Sequence, residues 1–196
     1  PTYPFAKERY WIPLSGHQQA VNATSVTQLH PLVHENNSSF TQQRFKSIFT
    51  GEEFFLNDHI VGTNKILPAV AYIEMFRAAA SLSSDEFEPF KLYNLTWLKP
   101  ITIGEKPEQI LVELSVEEDE FNLKAIVENN GEQTVHAQGQ CLYLDSDATV
   151  NKLAPEELIF IDEISQRLEK HAHSSEIYRL FHRKGLNLQA SFQGLE

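Results

Sequence analysis

The sequence predicts an α+β fold in which an antiparallel sheet wraps around one long buried helix. Two observations predict it. Pro68 to Leu82 carries apolar residues at Val70, Ala71, Ile73, Met75, Phe76, Ala78, Ala79 and Leu82, with Glu74 and Arg77 as the main exceptions. A helix apolar nearly all round is buried on most sides. After it, successive runs alternate apolar and polar residues with a period of two, which marks half-buried strands.

Taken in order, residues 1–13 hold three prolines and four aromatics and read as an extended strip lying on a neighbour. Residues 14–29 are rich in Gln, Ser, Thr and Asn, the composition of a linker. Phe40 to Thr50 predicts a strand ended by Gly51, and Phe54-Phe55-Leu56 leads into Asn57-Asp58-His59. Pro68 suits the first turn of the long helix, because its missing N–H would have no partner there. Ser81, Ser83 and Ser84 mark the end of that helix.

Leu92 to Leu98 predicts a short strand. Ile110, Val112, Leu114 and Val116 alternate strictly, as do Phe121, Leu123, Ala125 and Val127, and then Val135, Ala137, Gly139, Cys141 and Tyr143. The acidic residues 117–120 form a solvated turn between the first two runs. Asn130-Gly131 between the last two is a strong hairpin signal, since both residues tolerate positive φ. Such a meander buries one face on the helix and turns the other to water. This arrangement is the hotdog fold, and residues 30–150 are expected to form it.

Residues 145–157 read as a connector. Glu163 to Lys184 predicts a helix with Ile164, Leu168, Ile177, Leu180 and Phe181 as its apolar positions. His171-Ala172-His173 breaks it, Ser174 or Ser175 caps its second half, and Gly185 stops it. Leu186 to Phe192 would begin a further strand. Residues 151–196 are therefore expected to be a connector and an incomplete second lobe. Both chain ends read as cuts from something longer. An incomplete lobe would expose apolar surface, so association with the missing segment or another chain is expected.

Bulk properties exclude several functions. The chain has 196 residues and a formal net charge of -11, from 16 basic against 27 acidic residues. An acidic surface repels phosphate backbones and disfavours nucleic-acid binding. No apolar run approaches the ~18 residues of a membrane span, and no secretory signal is visible. A cytoplasmic protein is the expectation. The single cysteine, Cys141, rules out an internal disulfide or a multi-thiolate metal site and reads as a small core residue.

Several segments resemble one family, in the right order. Pro1 to Trp11 looks like the strip following the ketosynthase and linker regions of modular type I polyketide synthases. His30-Pro31-Leu32 resembles the opening of their dehydratase domains. Asp58 to Met75 closely resembles the dehydratase active-site segment, whose motif is His, three residues, Gly, four residues, Pro. His59 and Pro68 have that spacing. Gly185-Leu186-Asn187 and Ser191-Phe192 resemble the opening of the second lobe of a double hotdog. The chain departs from the pattern in two places. The motif's Gly position holds Thr63, with Gly62 one place early. The usual Tyr-Gly-Pro of the second lobe is Leu188-Gln189-Ala190.

The resemblance implies dehydration of a β-hydroxyacyl thioester held on acyl carrier protein, giving an enoyl thioester. His59 is implied as the catalytic base, a role suited to a side chain that titrates near neutrality. The acid partner, an Asp kept protonated by burial in this family, lies past residue 196. Gly62, Thr63, Leu67 and Pro68 are implied to bind substrate, and free N–H groups at the helix start are placed to hold the thioester carbonyl. No metal or organic cofactor is implied, since the substrate rides on the phosphopantetheine of acyl carrier protein. The implied partners are that carrier, the remaining synthase domains or the missing part of the second lobe, and a second copy in a homodimer.

Other candidates carry less. His171 and His173 alternate at a helix end, which makes a weak case for a metal site. His136 reads as structural, and His30 and His34 as surface or cap residues. Asp58 is positioned to orient the loop. Asn64 and Lys65 face solvent or the pocket entrance. No Ser/His/Asp set stands at a recognisable spacing. Two alternatives stay open beside the dehydratase. An enoyl double-bond isomerase of the same fold needs only the histidine, and the loss of Tyr-Gly-Pro motivates it. A non-catalytic split or truncated fragment is the other.

Overall fold

The computed structural model describes residues 28–83, 90–117, 120–143, 160–168 and 172–195. The expected strip and linker over residues 1–27, the boundary near residue 150, the connector at 145–157 and His171 lie outside the described residues.

Among the described residues, ten strands and four α-helices follow in chain order. Strands β1 (Glu35–Asn36) and β2 (Gln43–Phe49) precede a single-turn helix α1 (Phe54–Asn57). The hairpin β3 (His59–Val61) and β4 (Asn64–Ile66) leads to the long helix α2 (Ala69–Ser83). Strands β5 (Phe90–Trp97), β6 (Thr102–Ile103), β7 (Glu108–Glu117), β8 (Glu120–Asn129) and β9 (Glu132–Tyr143) come next. Helices α3 (Ile161–Arg167) and α4 (Ser174–Arg183) and strand β10 (Leu186–Leu188) complete the order.

The large sheet runs β1-β2-β7-β8-β9-β5, antiparallel at every pairing. Its alternating residues do what their period requires. Ile110, Val112 and Leu114 on β7 and Leu123, Ala125 and Val127 on β8 all turn into one core. Asn130 and Gly131 take positive φ of 54° and 81°, so the β8–β9 connection is the tight hairpin its dipeptide predicted. Phe45 and Phe49 on β2 extend the same core.

Helix α2 fills the sheet's concave face with Tyr72, Met75, Phe76 and Ala79. The hydroxyl of Tyr143 on β9 donates to the Ala80 carbonyl at 2.7 Å and ties the sheet to the far end of the helix. One expectation needs correction. The helix is open along one stripe, where Val70 is 62% exposed and Glu74 and Arg77 pair at 2.7 Å. Spacings of three and four put these residues on one face, so apolar composition alone did not bury it. The helix also begins at Ala69, leaving Pro68 just before it.

A smaller sheet, β10-β3-β4-β6, stands beside the large one. Here too the structure differs from expectation. Leu186 to Phe192 is a strand only to Leu188, followed by a 3-10 turn at Ala190–Phe192. The strand pairs with β3. The helical region breaks where expected, but His173, in extended conformation, precedes α4 with no side-chain cap bond, so neither Ser174 nor Ser175 caps it. Among the described residues, no helix is long and apolar enough to cross a membrane.

Candidate active site

Gly62 sets the geometry of the site. Val61 pairs with Asn64, which leaves Gly62 and Thr63 as a two-residue turn. Gly62 has φ of 63° while Thr63 is not among the positive-φ residues, the pattern of a II′ turn with glycine first. The glycine one place early is therefore where this turn needs it. The register that pairs Ile60 with Lys65 puts residue 59 opposite residue 66. His59 Nδ1 accordingly meets the Ile66 carbonyl at 2.9 Å.

That contact assigns the tautomer. A carbonyl oxygen only accepts, so Nδ1 carries the proton and donates it. In neutral imidazole the lone pair then sits on Nε2. Nε2 has no hydrogen-bond partner among the described residues, and no buried side-chain polar atom there lacks one, so Nε2 is accessible.

His59 lines a cavity of about 320 Å³ together with Leu67, Ala69, Tyr72, Trp97, Lys99 and others. Its walls come from distant segments. Tyr72 on α2 accepts the Ile101 N–H at 3.1 Å, and Leu67 N–H donates to the Ile101 carbonyl at 3.0 Å. Burial pushes the Tyr72 phenol up to about 12, against a smaller opposing effect of the Ile101 N–H, so the hydroxyl stays neutral. The loop at Leu98 and Lys99 is held by His136, whose carbonyl accepts both N–H groups and whose Nδ1–H donates to the Lys99 carbonyl at 3.2 Å.

A second, nearly wholly apolar cavity of about 480 Å³ lies beside Pro68, Phe54, Val70 and Phe192. Phe192 also packs on the His59 ring, with centroids 5.3 Å apart and planes inclined at 50°. Asp58 turns away to Ser191, whose N–H and hydroxyl both donate to its Oδ2, at 3.1 and 2.5 Å.

Of the residues singled out in the sequence, His59 and Leu67 share one cavity and Pro68 lines the other. Gly62 and Thr63 are exposed at the hairpin tip and line neither. The Gly62 N–H is already donated to the Gly185 carbonyl at 2.7 Å. Lys65 gives its ammonium to the Gly51 carbonyl at 2.6 Å, and Asn64 is exposed. His30 bonds Glu74 at 3.1 Å, and His34 bonds the backbone of Ile48 and Pro31. His173 is exposed, and no group of three or more metal-ligating side chains exists among the described residues. Cys141 is core, with burial pushing its thiol up to about 11.

Sequence reasoning missed Tyr72, Trp97 and Phe192 as site residues. A tyrosine inside an apolar helix was a usable signal, because its buried hydroxyl must find a partner. Nothing local marked Trp97, and the resemblance at Ser191-Phe192 did not place Phe192 against His59.

The family model described as polyketide synthase dehydratase domain matches residues 30–128. Polyketide synthase PksM of Bacillus subtilis (strain 168) is 37% identical over 206 residues, covering 100% of this chain and 5% of that protein. A crystal structure of a trans-AT PKS dehydratase domain from Brevibacillus brevis is 33% identical with a TM-score of 0.77, over 86% of this chain and 63% of that one. That of a histidine-to-phenylalanine inactive mutant of the CurJ dehydratase, in complex with a compound, is 26% identical with a TM-score of 0.67, over 85% and 57%. This chain thus spans a small part of the synthase it matches and under two thirds of either solved chain. With the matched span taking in the His59 hairpin and the helix that the sheet enfolds, the chain belongs to the polyketide synthase dehydratase domain family.

Proposed function

We propose that this chain supplies the basic half of a dehydratase that acts on a β-hydroxyacyl thioester carried by acyl carrier protein. One observation carries the reading. His59 holds its proton on Nδ1 against the Ile66 carbonyl, so the accessible Nε2 is the basic atom beside the cavity. In the reaction Nε2 takes the α-proton, which the thioester acidifies. The C–H electron pair becomes the new C=C bond, the β-carbon–oxygen bond breaks, and the hydroxyl leaves as water once an acid protonates it. Ala69, at the start of α2, lines the cavity, and the first N–H groups of a helix have no intrahelical partner, which suits them to receive the thioester oxygen as it gains charge.

The acid lies elsewhere in the synthase. Asp58 is the carboxylate next in sequence, and its Oδ2 is taken up by Ser191. A further support is the CurJ dehydratase, inactive with one histidine replaced by phenylalanine. Trp97, Leu98, Ile164 and Leu180 are exposed apolar side chains, which supports coverage by other synthase segments or by a second copy.

A second reading has its own observation. Leu188, standing where the family has tyrosine, is the strand partner of His59. Loss of a polar group there suits double-bond isomerisation, which needs a base and no loss of water. The test is mass spectrometry of a β-hydroxyacyl carrier protein incubated with the chain extended through its downstream sequence. Loss of the mass of one water, abolished in a His59 variant, is expected. An unchanged mass with a shifted double bond of an enoyl substrate by NMR would establish isomerisation instead.

A further inference from the structure

Among the described residues, His59 is held at one ring nitrogen. A single hydrogen bond from Nδ1 to the Ile66 carbonyl leaves an imidazole free to pivot about that bond, and a pivot swings Nε2 across the cavity. A second contact is needed to set the ring plane. Phe192 makes it, on the ring of His59 at a centroid distance of 5.3 Å.

Phe192 is in turn held from the strand that carries His59. Strand β10 pairs with β3 so that Leu188 lies opposite His59. Beyond that pair the Gln189 N–H donates to the Asp58 carbonyl at 3.0 Å, and the Phe192 N–H donates to Gln189 at 2.9 Å. The Asp58 carboxylate then takes the N–H and hydroxyl of Ser191, the residue just before Phe192. At the other end of the ladder the Gly62 N–H meets the Gly185 carbonyl at 2.7 Å. Asp58 ends α1 in helical conformation, with φ of -92° and ψ of -2°, and His59 opens β3, so the two side chains reach adjacent residues of one turn, Ser191 and Phe192. One grips the 3-10 turn, and the aromatic ring of that turn comes back onto the other.

We infer that Phe192 is a positioning residue for His59 and that Asp58 and Ser191 are the clamp that holds Phe192 in place. The inference rests on His59 being the reacting base only for its effect on rate. The geometry of the clamp is independent of which reaction the base performs. Charge-assisted bonds from two donors of one residue fix that residue more firmly than a neutral pair would.

The test follows the ring itself. NMR of the full chain labelled in its histidines reads the His59 tautomer and the shifts of its ring protons, which lie in the ring current of Phe192. Phe192→Leu and Ser191→Ala are both expected to move these resonances in the same direction, and the double variant to add nothing further. The Nδ1-protonated tautomer is expected to persist in all three, since the Ile66 bond remains. Backbone amide spectra report that the fold is kept. In the chain extended downstream, both variants are expected to lower kcat about tenfold or more with KM unchanged, since small misplacements of a reacting group act on the chemical step. Phe192→Tyr, which keeps the ring, is expected to restore it. His59 resonances unmoved by Phe192→Leu would overturn the positioning role. Resonances moved by Phe192→Leu but not by Ser191→Ala would overturn the clamp. If the wild type leaves the thioester untouched, dehydration fails as the reaction, and the resonances still decide the positioning role.

Discussion

His59 and Ile66 face each other across the β3–β4 hairpin, ring Nδ1 against backbone oxygen at 2.9 Å. The pairing makes the free Nε2 of His59 a product of hairpin register. It also suggests a variant that separates structure from chemistry. In His59→Asn the amide nitrogen stands in for Nδ1 and can still donate to Ile66, but no basic atom replaces Nε2. Dehydration is expected to fall by about 10²–10⁴-fold, with the thermal unfolding midpoint close to that of the wild type. Retained turnover in this variant would remove His59 from the reaction.

Gly62→Ala tests whether the hairpin tip binds substrate. A Cβ at Gly62 meets nothing within 4 Å, so the substitution acts through the positive φ alone. Urea denaturation is expected to show a loss of about 1 kcal/mol. Turnover at saturating substrate should be unchanged, because the tip lines neither cavity. A large fall in kcat at full folding would return Gly62 to the substrate contacts.

Tyr72→Phe removes the oxygen that accepts the Ile101 N–H at 3.1 Å in the core. A buried donor left without a partner costs about 1–3 kcal/mol. Equilibrium unfolding in urea is expected to show this loss with an unchanged slope. A variant as stable as the wild type would mean that the N–H finds another acceptor.

Alkaline stability follows from two buried acids. Burial raises the Cys141 thiol from its ordinary 9.0 to about 11, and the Tyr72 phenol from 10.0 to about 12. In each case the unfolded chain gives up its proton first. Between the two values it therefore binds fewer protons than the folded chain, and stability falls as pH rises. The stability these groups support is complete below their unfolded values and is lost on rising through the folded ones. Denaturation measured from pH 8 to pH 11 is expected to decline in two overlapping stages. Cys141→Ala should flatten the earlier stage and Tyr72→Phe the later one, each compared with the wild type at the same pH. Equal slopes in wild type and variants would show that neither group titrates differently on folding.

Much of the fold was legible because it rests on local periodicity. Alternation marked β7, β8 and β9, Asn130-Gly131 marked their hairpin, and the apolar run after Pro68 marked α2. The apolar count overstated how much of α2 is covered, since Val70, Glu74 and Arg77 form an open stripe that only the packing of the sheet defines. Leu186 to Phe192 looked like one strand because its composition suits a strand. The bonds to Asp58 bend its second half into a 3-10 turn.

For the site, the sequence by itself determined that His59 stands shortly before a helix start at Pro68, because both depend on residues within a few positions of one another, while the tight turn at Gly62 came only with the hairpin register. Only the tertiary structure decided what surrounds His59. Tyr72 on Ile101, His136 on the Leu98–Lys99 loop, and Phe192 on His59 join segments far apart in the chain. Such contacts form when separate elements dock and bury their faces together, and no local period in the sequence records which distant partner each side chain will meet.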